Sequence, residues 1–182
     1  MTFSSLPVDN HLYFITATIC GWKPLFEEQR YCQIILDSFT WLRGSKACRL
    51  FAFVIMPTHT HFLILPEGKS ISSITHSFGS FTAHQILKQL ETDERHDLLK
   101  FFQYQVVNPT HRHRIWQDIQ AENIFSSHFL EQKLEYIHQN PTRGNKPLVA
   151  DRSKYLYSSA CFYDEGKQPI IPIDDIREFL ST

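Results

Sequence analysis

Two histidines one residue apart, His59 and His61, interrupt the otherwise apolar stretch AFVIMPTHTHFLILPEG at residues 52 to 68. On a strand, side chains alternate between faces, so these two imidazoles point one way and Thr60 the other. Two imidazoles side by side can ligate a divalent ion. The same residues also fit a polar turn, in which Met56-Pro57-Thr58 ends one strand and His59 opens the next. A second candidate lies in KLEYIHQNPTRG, 133 to 144, where Tyr136 and Asn140 are four apart and share a helix face near its end. They are either a polar pair presented together, or a half-buried tyrosine beside an asparagine that stops the helix. Two further motifs are set aside. Gly68-Lys69-Ser70 looks like the end of a phosphate-binding loop, but Leu63 stands where that loop requires its first glycine. His111-Arg112-His113 repeats the His-x-His spacing in polar surroundings with no strand to fix it, and reads as a solvated loop or a phosphate contact.

The elements that must position these residues follow from hydrophobic period and turn chemistry. HLYFITATI (11–19) is aromatic and β-branched and reads as a strand. From Glu27 to Leu42, Tyr31, Ile34, Ile35, Phe39 and Leu42 recur at helical spacing, and Gly44 supplies a stop. RLFAFVIM (49–56) and HFLILP (61–66) form a hairpin across a tight Pro-Thr turn, with the histidines opening the return strand. Ile71 to Leu90 reads as an amphipathic helix weakened by Gly79. Residues 91–113 show no clean period and read as an irregular insertion. A short strand follows around Arg114 to Ile119, and a helix from Ser127 to Gln139 with Ser126 or Ser127 as N-cap, ended by Asn140-Pro141. The order strand, helix, strand, strand, helix is most of a ferredoxin-like split βαβ sheet, an α+β class with helices on one face and chemistry on the other. The expected organisation is one domain over 1–182, with a core of about 10–150 and a Pro-punctuated, aromatic appendage over 151–182.

Composition narrows the function classes. A net charge of −1 does not predict a nucleic-acid binder, since those usually carry a basic excess. Basic residues nevertheless collect at 111–114 and between Arg143 and Lys154, so a basic face on a neutral protein is allowed. Cys20, Cys32, Cys48 and Cys161 lack C-x-x-C spacing and read as reduced, buried thiols of a cytoplasmic protein. MTFSSLPVDN lacks a basic region followed by an apolar one and no apolar run has the length of a membrane span, so the chain is expected to stay where it is made.

Together, PTHTHFLILP and YIHQNPTRG resemble the HUH single-tyrosine transposases, most closely the REP-associated tyrosine transposases. The first is similar to that family's His-x-His strand and the second to its Tyr-Ile-x-x-Asn-Pro signature. Trp116-Gln117 and KYLYSSA (154–160) match further family features, and the similarity spans about residues 10 to 160. Thr60, Thr142 and Asn145 depart from the usual pattern, and Glu91 to Thr110 is longer than usual.

The resemblance implies that His59 and His61 ligate a divalent metal, Mg or Mn, that Asn140 is a third ligand, and that Tyr136 is the nucleophile. It implies a metal-dependent single-strand DNA endonuclease and strand-transferase working through a covalent 5′-phosphotyrosine on hairpin-containing DNA, as a monomer or a homodimer. Arg112, Arg114, Arg143 and Lys146 are the candidate DNA contacts. Because both histidines sit at a strand start, truncating either is expected to leave the core alone. Two other readings compete: a catalytically idle DNA-hairpin-binding protein of the same fold, and a metal-binding protein unrelated to DNA.

Overall fold

The structure, a computed structural model, describes residues 11–105 and 112–180. Four strands, β1 (Leu12–Ile19), β2 (Cys48–Met56), β3 (His59–Pro66) and β4 (Trp116–Ile124), pair antiparallel in the order β2-β3-β1-β4. Between β1 and β2 runs α1 (Gln29–Gly44), and after β3 come α2 (Ile71–Thr92) and α3 (His96–Tyr104). The helix α4 (Ser127–Gln139) follows β4, and two short helices, α5 (Ala160–Glu165) and α6 (Ile176–Leu180), close the described chain. This is the expected α+β split βαβ sheet.

Both central strands are apolar on both faces, and each face has its own core. On one face Ile15, Phe53, Phe62 and Ile64 meet Phe39 of α1 and Phe78 of α2. Phe39, Phe62 and Phe78 make mutual ring contacts with centroids 4.8 to 5.9 Å apart, and each is 1% exposed or less. Burial on that scale contributes about 1.5–3 kcal/mol per side chain, so this cluster holds α1 and α2 on the sheet. Trp116 pins β4 to α2, its indole N–H donating to Thr82 Oγ1 at 2.9 Å. Gly79 permits that approach, because a Cβ there would sit 2.7 Å from Ile119 Cδ1. On the opposite face Phe14, Val54, Leu63 and Leu65 pack against Leu130 and Ile137 of α4. The face away from α1 and α2 is therefore covered by α4, with Tyr155, Tyr163 and Ile176 packed in the same core.

Three segments differ from expectation. Residues 91–113 contain α3, whose Leu98 and Phe102 sit one turn apart and bury into the core. The charged run ETDERHD hides this short amphipathic period, and residues 106–111, including His111, lie outside the described residues, as do the N-terminal residues 1–10. β4 continues to Ile124, because an edge strand with one exposed flank needs no apolar alternation and WQDIQAENI is mostly polar. Finally, the chain after Lys154 seals the free edge of β2. Ile55 N donates to Tyr157 O, Ser159 N to Phe53 O, and Asp174 N to Leu50 O, at 2.7 to 3.0 Å. An uncovered edge would present these groups to other chains.

The Gly-Lys-Ser motif is a helix start: Ser70 caps α2, its hydroxyl accepting from Ser73 N at 3.2 Å. Ser126 caps α4 in the same way, accepting from Phe129 N. Cys20, Cys32 and Cys48 are buried free thiols, whereas Cys161 is partly exposed. Among the described residues no helix is long and apolar enough to cross a membrane.

Candidate active site

The Pro57-Thr58 turn between β2 and β3 is held from outside the hairpin. Ile19 N donates to Thr58 O and Phe26 N to Pro57 O, each at 3.0 Å. His59 and His61 therefore open an internal strand whose start is fixed on both sides, opposite Thr18 and Thr16 of β1. Their rings lie 4.8 Å apart, edge to face, which confirms the shared direction. Thr60 points the other way, is fully buried, and gives its hydroxyl hydrogen to Val54 O at 2.9 Å, so its polarity in the core is satisfied.

Each imidazole has a threonine hydroxyl at one nitrogen: Thr58 Oγ1 lies 3.0 Å from His59 Nδ1, and Thr16 Oγ1 2.9 Å from His61 Nδ1. If Nδ1–H donates to the hydroxyl, Nε2 carries the lone pair, which is how outer partners orient metal-binding histidines. His61 Nε2 is, among the described residues, a buried side-chain nitrogen with no hydrogen-bond partner. A polar atom left so is costly unless something else occupies it. Burial pushes the His59 ionisation down, opposed by a hydrogen bond with the Asn140 side chain. Burial, then the charges of His59 and Lys133, push His61 down to about 3. Both rings are thus neutral at pH 7, the form that binds metal.

The helix α4 crosses this face and brings Tyr136 to the histidines, with ring centroids of Tyr136 and His61 5.0 Å apart. Phe14 stacks on His61 at 5.3 Å and meets Tyr136 edge-on at 5.9 Å, so one aromatic floor supports both. Tyr136 keeps 38% of its surface exposed. One turn on, Asn140 gives its amide N–H to Tyr136 O at 2.9 Å, and its side chain is near enough to His59 to oppose the fall in that imidazole's ionisation. Among the described residues no three His, Cys, Asp or Glu side chains gather as a metal cluster. The donor set here is instead two imidazoles and an amide, which fits a divalent ion that accepts both nitrogen and oxygen.

The basic candidates are dispersed. Arg143 is exposed, with its guanidinium 5.8 Å from the Tyr136 ring centre. Arg114 precedes β4, at the sheet end that carries His59, and donates to the carbonyls of Trp116 and Gln117. Arg112 and Lys146 are exposed on loops.

Comparison with known proteins gives no matching family model and no matching curated protein. Among solved structures, that of a REP-associated tyrosine transposase bound to a REP hairpin superposes with a TM-score of 0.62, covering 97% of this chain and 93% of that one, at 17% identity. The fold is that of a REP-associated tyrosine transposase. A presumed transposase from Deinococcus radiodurans is also similar, at 15% identity and a TM-score of 0.47 over 75% of this chain and 95% of that one, too distant to argue from.

Within this transposase fold, three residues near the site escape a reading of sequence. Lys133, one turn before Tyr136, holds its ammonium 4.4 Å from the Phe14 ring centre and pairs with Glu122 at 2.6 Å. The i, i+3 spacing of Lys133 and Tyr136 was the available signal. Trp22, in the turn after β1, has its ring centre 5.8 Å from that of His59, and no sequence pattern marks it. His138 points away from the site, buried against Ser159 Oγ at 2.9 Å and the Tyr163 ring. Arg152 adds a second tie, pairing with Glu135 of α4 and with Asp164 of α5. His61 also departs from expectation: at 4% exposure, stacked on Phe14, it belongs to the second core, so its truncation cannot leave that core untouched. Strand alternation gives the ring's direction but not the helix that covers it.

His138 makes acid stability a measurable property. Burial, then the Arg152 charge, lower it from its usual 6.5 to about 4. Its contribution is complete above the unfolded value near pH 6.5 and is lost as pH falls toward about 4, because only the unfolded chain takes up the proton. The loss amounts to up to about 3 kcal/mol at 1.4 kcal/mol per unit. Urea unfolding at pH 7 and pH 4.5 should therefore show a shallower acid loss in His138→Gln than in the parent. Identical losses would remove His138 from the acid response.

Proposed function

We propose that this chain is a metal-dependent single-strand DNA endonuclease and strand-transferase, with Tyr136 as nucleophile and His59, His61 and Asn140 as metal ligands. The observation that carries the reading is the meeting of Tyr136 and His61, 75 residues apart in the chain, at 5.0 Å, beside a His61 Nε2 that is buried and, among the described residues, unpartnered. Binding alone requires no such convergence. Bound to these ligands, a divalent ion, Mg or Mn, would supply charge neutralisation at the scissile phosphate.

The chain's own residues account for the rest. Phe14 fixes the Tyr136 ring from below, and the Asn140 bond to Tyr136 O fixes the helix turn that carries it, so the phenol is presented rather than mobile. Tyr136 Oη attacks phosphorus and its proton passes to solvent. The bond from phosphorus to the 3′ oxygen breaks, that oxygen takes up a proton, and the 5′ phosphate stays on tyrosine. Reversal with a different 3′ hydroxyl rejoins strands without an external energy source. Arg143, beside the Tyr136 ring, and Arg114, at the His59 end, are the phosphate contacts best sited for this role, and the exposed Arg112 and Lys146 are the remaining candidates.

The substrate class follows from charge. At a net charge of −1 the chain lacks the basic excess on which duplex binding draws, whereas aromatic stacking on unpaired bases does not require it. The reading also accords with a fold neighbour that binds a REP hairpin. Single-stranded DNA flanking a short hairpin, labelled and resolved on a denaturing gel with protein and Mn²⁺, should give a covalent adduct, and the same sequence as a perfect duplex should give none. Equal cutting of both forms across salt concentrations would contradict the single-strand assignment. Hairpin binding with no adduct would leave a DNA-binding protein without the chemistry.

A further inference from the structure

We infer that Trp22 is the stacking platform for an unpaired base next to the scissile phosphate, an inference that rests on the nuclease reading above. Trp22 ends the single turn Cys20–Trp22 that leaves β1 at the histidine end of the sheet. Its ring meets His59 edge-on at 5.8 Å, yet 57% of the residue remains exposed. A large ring is thus held open beside a candidate metal ligand, although the core is close by.

The backbone keeps it there at a cost. Trp22 has φ 53°, directly after Gly21 at φ 61°, so two successive residues are left-handed and only one is glycine. A non-glycine residue in that region persists when its surroundings hold it, and such positions cluster at ligand-contacting sites. Here the holding groups are visible. Gly21 N donates to Gln117 Oε1 at 3.4 Å, and Phe101 of α3 lies so close that a Cβ on Gly21 would stand 2.6 Å from its Cζ. Lys23 caps the Phe101 ring at 4.4 Å. The turn is therefore clamped between β4 and α3 with its indole facing outward.

Chemistry selects the occupant. A flat, uncharged ring favours a flat apolar partner, and every base offers a π-face once it is unpaired, whereas a base within a duplex has both faces taken. Lys23 on the same turn and Arg114 at the start of β4 supply cations for the neighbouring phosphates. A nucleotide whose phosphate lies at His59, His61 and Asn140 thus has an adjoining base within reach of Trp22. The same contact makes the site discriminate against paired flanks.

The test is a double-mutant cycle between protein and DNA. Hairpin oligonucleotides with single-stranded flanks, each carrying one abasic site at a different position beside the cut, are reacted with the full-length parent, Trp22→Ala and Trp22→Phe, and the covalent adduct is timed. Expected are an adduct rate at limiting DNA about 5- to 100-fold lower for Trp22→Ala, the range for a lost base–aromatic stack, and recovery of most of it in Trp22→Phe. One abasic position should cost the parent the same factor and cost Trp22→Ala nothing more. An unchanged rate in Trp22→Ala, or losses that multiply at every abasic position, would overturn the inference while the nuclease reading stands. A Trp22→Ala chain that unfolds leaves the comparison of parent and Trp22→Phe across the abasic series, where an unvarying response would count against it equally. A parent that forms no adduct on any of these substrates overturns the nuclease reading, and this inference with it.

Discussion

Tyr136→Phe should lose covalent adduct by at least about 10³-fold while keeping hairpin affinity and changing stability by no more than about 0.5 kcal/mol. The substitution keeps the ring that meets Phe14 and His61 and deletes only the hydroxyl, and Tyr136 is partly exposed, so the core barely registers the change. No other tyrosine nearby can stand in. Tyr155 and Tyr163 give their hydroxyl hydrogens to Ile55 O and Phe51 O at 2.8 Å, and burial raises both ionisations further from neutrality. Tyr157 is likewise raised by burial. Denaturing gels of parent and variant on one hairpin substrate provide the measurement, and adduct surviving in the variant would move the nucleophile elsewhere.

The second large effect is a split between the two histidines. His59→Ala and His61→Ala should both abolish metal binding and cleavage, yet differ in their effect on folding. His59 is partly exposed and its loss should cost less than about 1 kcal/mol. His61 is stacked on Phe14 in the second core, so its truncation opens a cavity worth about 1–3 kcal/mol, partly offset because an unpartnered buried nitrogen disappears with it. Mn²⁺ titration calorimetry and urea unfolding on the same preparations separate the two quantities. Either variant binding Mn²⁺ as tightly as the parent would remove that histidine from the ligand set, and equal destabilisation would show that α4 does not cover His61 as described.

The element order and the hairpin were legible because each rests on a short-range signal: β-branched runs, a period of 3.6, a Pro-Thr turn. The shared direction of His59 and His61 was legible for the same reason, being a property of one strand. The resemblance pairs them with Tyr136 across 75 residues and several intervening elements, which no periodicity reports. What escaped depends on tertiary neighbours. Nothing in ETDERHDLLKFF announces that Leu98 and Phe102 will bury, because their period is only one turn long. Burial of His61 requires knowing that α4 lies over it, and the worth of Lys133 or Trp22 lies in what stands beside them. The pairing of residues 155–174 with β2 is a long-range match without alternation, so a sequence can only present it as a tail.

That tail gives the two halves of the site different anchors. The histidines are carried by β3 in the middle of the sheet, whereas α4, with Tyr136, is tied through His138 to Ser159, in the segment laid along β2, and through Glu135 to Arg152, just before it. Removing the chain from Arg152 onward would therefore strip both ties from the Tyr136 helix while leaving β3 hydrogen-bonded between β2 and β1.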